Sequence, residues 1–183
     1  MIKKKLIISV IILSLVVTAG VGSVIAYFAS ISGPVVNTFT VGQVELELTD
    51  AEAGVIPLVP GTTAERTSVV TVKRDSEDCY VYVKIEQPRE LTQYTSYELA
   101  EGWINLGGID GVYYRQVPKS AVNMKYHVFK NDEIAIGTNL TKEKMAQLDA
   151  GGYVMKVTAY AIQTLGIESP ADGWYNLLAE MEG

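Results

Sequence analysis

The chain has 183 residues, with 15 Lys and Arg against 21 Asp and Glu, one cysteine and one histidine. A net charge of −6, with no basic cluster beyond Lys3, Lys4 and Lys5, argues against nucleic-acid binding, which needs basic groups to neutralise phosphate. Lone Cys79 excludes an intrachain disulfide and a thiolate metal cluster, and lone His127 excludes an HExxH zinc helix and a two-His facial triad.

The chain opens with Lys3, Lys4 and Lys5 and then carries no charged side chain until Glu45. Basic residues followed by the apolar run Leu6–Val17 and the small residues Thr18, Ala19, Gly20, Gly22 and Ser23 make a secretory signal over residues 1–26. Val24-Ile25-Ala26 places cleavage between Ala26 and Tyr27. The competing reading is an uncleaved anchor over residues 6–28, since about 20 apolar helical residues cross a bilayer. Gly20, Gly22 and the absence of basic stop-transfer residues weigh against it. Cleavage leaves 157 residues and, with three lysines gone, a net charge of −9. That length is enough for one domain, expected over residues 41–183.

Val44, Leu46 and Leu48 alternate with Glu45 and Glu47, the period of a half-buried strand. The stretches 67–73 and 79–87 repeat it on either side of the polar turn 74–78, and the pair reads as a hairpin or as neighbouring strands. Cys79 is in phase with Val81, Val83 and Ile85, so its thiol is expected in the core. Pro88 has no N–H for a sheet ladder and ends that strand. Residues 89–110, rich in Tyr and Trp, read as a connection folded over a sheet edge.

Further strands are predicted over 111–117, 122–130 and 153–164. Thr141 can cap an exposed helix over 142–148. Ser169-Pro170-Ala171-Asp172 starts a terminal helix whose apolar stripe is Trp174, Leu177, Leu178 and Met181. Six strands separated by Pro and Gly turns argue for an all-β antiparallel sandwich, Ig-like in its layering, with short helical insertions and a C-terminal helix.

Catalytic constellations are sparse. His127 falls on a strand with Asn123, Lys125 and Phe129 in phase, which fits a surface or packing role. A Ser-His-Asp set needs only one histidine, but no GxSxG elbow accompanies it. Cys79 with His127 is a formal nucleophilic pair that burial of the thiol argues against. Gly107-Gly108 and Gly151-Gly152 lack the partners of a phosphate loop. The acidic pairs Glu77-Asp78 and Asp132-Glu133 read as solvated turns, and Asn139-Leu140-Thr141 as a chance glycosylation sequon. No catalytic residue, metal ligand or cofactor is expected.

Tyr27-Phe28, the run Asn37 to Leu46, Pro60-Gly61-Thr62, Ser76 to Lys84 and Val157 to Gln163 resemble, in this order, the TasA/camelysin family of exported Gram-positive proteins. The resemblance implies a jelly-roll-like sandwich and a secreted structural subunit of extracellular fibres in a biofilm matrix or at the cell surface. It implies processing by a SipW-type signal peptidase, self-association into a homopolymer, and an accessory fibre-anchoring protein as a further partner. The membrane would be met only through the signal. In such fibres the N-terminal segment acts as a donor strand for the neighbouring subunit. Here the donor would be residues 27–40, carried by Tyr27, Phe28, Ile31, Val35, Val36 and Phe39.

Physical chemistry leads to the same segment. An uncharged, largely apolar end with Gly33-Pro34 breaking helix is unfavourable in water, and adding it to an open sheet edge satisfies its main chain and buries alternate side chains. The other reading is that the segment folds back as an edge strand of its own domain. Some family members have been described as metalloproteases, but this sequence departs from any zincin pattern. The alternatives from other classes are therefore a membrane-anchored surface binding protein and a camelysin-like surface metallopeptidase.

Overall fold

A computed structural model describes residues 38–50, 58–151 and 153–182. Eleven strands are described: β1 (Thr38–Val41), β2 (Leu46–Asp50), β3 (Thr63–Glu65), β4 (Ser68–Val72), β5 (Cys79–Glu86), β6 (Thr95–Ser96), β7 (Ile104–Asn105), β8 (Val112–Val117), β9 (Met124–His127), β10 (Glu133–Ile136) and β11 (Lys156–Gln163). Three α-helices, α1 (Arg89–Thr92), α2 (Lys142–Gly151) and α3 (Pro170–Glu182), and one 3-10 turn at Lys130–Asp132 are found with them among the described residues.

The main sheet has the order β1-β11-β5-β8-β7, and every pairing in it is antiparallel except β1 with β11. A second sheet, β2-β4-β9, and a third, β3-β10-β6, are antiparallel throughout. The main and second sheets pack face to face. Cys79, Val81, Val83, Ile85, Val157 and Ala159 of the first meet Leu48, Val70 and Val72 of the second in one core. The main sheet's other face carries Tyr82, Tyr160 and Ile162 beneath Trp174 and Leu177 of α3. Covering on both faces explains why β11 reads as a nearly continuous buried run, Val157 to Ile162, rather than an alternating one. The third sheet has its own small core, where Ala64 and Ile136 meet Leu91, Tyr94, Leu140 and Leu148.

The all-β sandwich with short helices and a C-terminal helix is the architecture expected from the strand spacing, but one expected pairing is not made. Strands β4 and β5 form no hairpin: they lie in opposite sheets, and residues 74–78 arch between the layers. Both strands bury their apolar faces in the same core, from opposite layers of the sandwich. Asp75 at φ 65 turns the arch, and Ser76 anchors it by accepting the Glu45 N–H through Oγ at 3.1 Å. Strands β8 and β9 are split between the sheets in the same way.

Residues 89–110 contain α1, β6 and β7 and lie against the chain that follows β9. Lys130 N donates to Glu98 O and Ala100 N to Val128 O, both around 3 Å, and Trp103 Nε1 donates to His127 O at 2.7 Å. This strap buries Phe129, which alternation placed on the same face as the exposed His127, because the strand phase ends at the 3-10 turn. Arg115 lies with its guanidinium carbon 3.9 Å from the centre of the Tyr126 ring and 5.0 Å from that of Trp103, a cation held by ring faces where strap and sandwich meet.

The terminal helix starts as its sequence dictates. Ser169 Oγ accepts the Asp172 N–H at 3.2 Å and donates to the Asp172 carboxylate at 2.6 Å, with Pro170 in the first helical position. Trp174 and Leu177 are buried as predicted, but Met181 is exposed beyond the sheet edge. Helix α2 runs on to Gly151 and buries Leu148, so it is anchored rather than freely exposed.

Candidate functional site

Among the described residues, strand β1 is the outermost strand of the main sheet, with β11 as its one neighbour. Thr38, Phe39, Thr40 and Val41 lie opposite Ala159, Tyr160, Ala161 and Ile162, running parallel to β11. A four-residue parallel pair is a weak attachment, since parallel ladders are slightly less stable per residue.

The strand ends at Gly42, whose φ of +86° only glycine adopts freely. The side chain of Gln163 packs there, with Oε1 accepting the Gln43 N–H at 3.4 Å, and a Cβ on Gly42 would come within 2.9 Å of it. Two residues later Val44 is buried in the sandwich core at 4 % exposure. A groove of about 330 Å³ lies beside this hinge, lined by Val41, Ile162, Leu165, Ile167 and Ala179 among others.

Of the donor residues expected from the sequence, the structure describes the backbone of Phe39, in register with Tyr160. Tyr27, Phe28, Ile31, Val35 and Val36, and the cleavage pair Ala26 and Tyr27, lie outside the described residues, as does the signal over 1–26. Thr38–Thr40, the described part of the 27–40 segment, forms an edge strand within its own chain.

Elsewhere the chemistry-bearing side chains are dispersed. Cys79 is fully buried, and loss of hydration, with the Asp78 charge second, pushes its thiol up to about 12, so it is not a nucleophile at neutral pH. His127 Nδ1 lies 2.8 and 3.0 Å from the two carboxylate oxygens of Asp132 on the surface. Among the described residues no serine, threonine or cysteine hydrogen-bonds to that ring. A polar depression of about 420 Å³ is lined by Thr63, Ser96, Tyr97, Lys130 and Glu133 among others, and across it Lys130 Nζ donates to Glu98 at 2.5 Å. Among the described residues no three His, Cys, Asp or Glu side chains converge as a metal site, and no helix is long and apolar enough to cross a membrane.

Reasoning from the sequence misses three features. Asp50, Arg66 and Ser68 form a buried polar cluster, with Arg66 Nη2 and Ser68 Oγ donating to the two Asp50 oxygens at 2.6 and 2.8 Å. Nothing in the local pattern distinguishes Arg66 from a surface arginine. Gln163 closes a strand whose alternation said nothing of a hinge. Leu165, in Thr164-Leu165-Gly166-Ile167, did carry a signal: an apolar residue before a glycine in a tight turn is out of place.

Comparison with family models, with curated proteins and with solved structures yields no match to this chain.

Proposed function

We propose that this chain is a secreted structural subunit that polymerises head to tail, the N-terminal segment of one copy completing the main sheet of the next. The observation that carries the reading is β1: a short strand that pairs, among the described residues, with β11 alone and leads into the sandwich through Gly42. A strand held this way exchanges between identical copies at little cost, because the contacts broken within one chain are remade with its neighbour. The residues before it, 27–37, are uncharged and largely apolar, so they extend the donor. A heterologous contact of this type does not close on itself and propagates as a filament. The finer jelly-roll connectivity, export across the membrane by a cleaved signal, processing by a SipW-type peptidase and anchoring by an accessory protein belong to the same reading and rest on the family resemblance.

Removing residues 27–36 from the exported chain tests it. The expected product is a soluble monomer by sedimentation velocity, and filaments of unchanged length would refute the assembly role. N-terminal sequencing of the exported protein should begin at Tyr27. A chain that keeps Met1 favours instead a membrane-anchored surface protein held by residues 6–28.

A further inference from the structure

We infer that the polar depression on the solvent face of the third sheet binds a neutral polyhydroxylated ligand, a sugar unit of a glycan; the inference does not depend on strand exchange. Ala64, Ile134 and Ile136 are buried on the sheet's other face, while Thr63, Ser96, Glu133 and Ala135 turn to solvent. Ala135 stands between Thr63 and Ser96 in the ladder, so three small side chains in a row make the floor. Longer side chains complete the lining, and the volume of about 420 Å³ lies within the roughly 300–1,000 Å³ of small-molecule sites. Tyr97, on that lining, is fixed by its edge-on contact with Phe129, 5.4 Å between ring centres.

The lining holds unspent hydrogen-bonding capacity. Among the described residues, the side chains of Thr63, Ser96, Asn131 and Glu133 make no hydrogen bond to other protein groups. Asn131 is the most informative of them. Its backbone lies in the left-handed region at φ 56 and ψ 13, followed by Asp132 at φ 55, and such strain at non-glycine residues gathers at ligand-binding sites. Asp132 is compensated by His127, whereas the Asn131 amide gains nothing from the fold. The turn is nevertheless pinned, by Lys130 N donating to Glu98 O at 2.9 Å and Arg66 N to Asp132 O at 2.6 Å.

Charge and hydrogen bonding select the ligand class. Lys130 is already paired with Glu98, and Glu133 has no cationic partner among the described residues and lies opposite Glu65 in the ladder, which turns anions away. An apolar ligand would leave all four groups unpaired, and a small cation would engage Glu133 but leave the Asn131 N–H donors unused. Sugar hydroxyls each donate and accept, which matches two protein hydroxyls, a carboxamide and an accepting carboxylate.

The experiment measures saturation-transfer NMR of cellobiose, lactose and chitobiose, with 1,5-diaminopentane as a cationic probe. The protein is the chain as an exporting Gram-positive host processes it, in wild type, Ala135→Leu and Asn131→Gly. Ala135→Leu fills the floor from an exposed position, and Asn131→Gly removes the amide while relaxing the backbone. At least one disaccharide is expected to bind wild type saturably, with a Kd of roughly millimolar order. Binding should weaken about tenfold or more in both variants, with the melting temperature unchanged in Ala135→Leu and raised in Asn131→Gly. No saturable signal from any of the three sugars overturns the inference, as does sugar binding that both variants retain. Binding of the diamine without any sugar makes the depression a cation site and overturns it as well.

Discussion

Arg66 is fully buried and its charge is answered by the Asp50 carboxylate at 2.6 Å, so neither group has water to fall back on. Breaking such a pair leaves an uncompensated charge in the interior and costs about 3–5 kcal/mol. Asp50→Ala should lose that much in urea unfolding, and exchanging Arg66 and Asp50 together for apolar residues of similar size should restore most of it. Alkali gives a second test at this scale. Burial holds the Cys79 thiol protonated up to about 12 against an ordinary 9.0, and burial likewise raises the Tyr82 and Tyr97 hydroxyls from 10.0. The unfolded chain releases these protons first, so stability is intact below pH 9 and falls as pH rises through the folded values. Cys79→Ala should make the decline between pH 9 and 12 shallower, as followed by circular dichroism. Single residues were legible where a period spoke for them. Cys79 followed Val81 and Val83 into the core, whereas Phe129 and Arg66 are buried by segments distant in sequence.

Among the elements, α3 is both the most readable and the most separable. Its cap follows from Ser169, Pro170 and Asp172, and its stripe from the spacing of Trp174 and Leu177. Tyr82 Oη donates to Pro170 O at 2.8 Å and Trp174 lies 5.1 Å from Tyr160, ring centre to ring centre, so the helix is fastened at its first turn and by one indole. Ser169→Ala should lower stability by about 1 kcal/mol in thermal unfolding, the usual loss for an N-cap. What the sequence did not disclose is which strands pair. Strands β4 and β5 each have the right alternation and are separated by a polar turn, which also describes a hairpin. The decision comes from the arch, where Lys73 N donates to Glu45 O and Glu77 N to Gln43 O, tying the connection to the chain around β2 instead of to itself.

At the scale of the molecule, period-two patterning identified a sandwich because half of each strand had to find an apolar partner layer. It was silent on the third sheet, whose strands are too short to show a period. It was silent also on β1, where Thr38, Phe39, Thr40 and Val41 mix polar and apolar residues at an edge with one neighbour. The candidate assembly segment comes from the family resemblance, with its lack of charge as a supporting property of composition. The hinge at Gly42 and the turn at Leu165 became visible only when β11 set them side by side.

The pairing of β1 with β11 joins the first described residues to the last described strand. A chain emerging from its N-terminus presents Thr38 to Val41 long before Lys156 to Gln163 exist to receive them, and closing so long a loop is slow. During that interval the N-terminal strand is unclaimed, and the order in which the chain is delivered decides whose sheet it enters. If copies exchange this strand as proposed, completed neighbours nearby compete with the chain's own β11 for it during that interval, and the rate of delivery then sets polymer length alongside affinity.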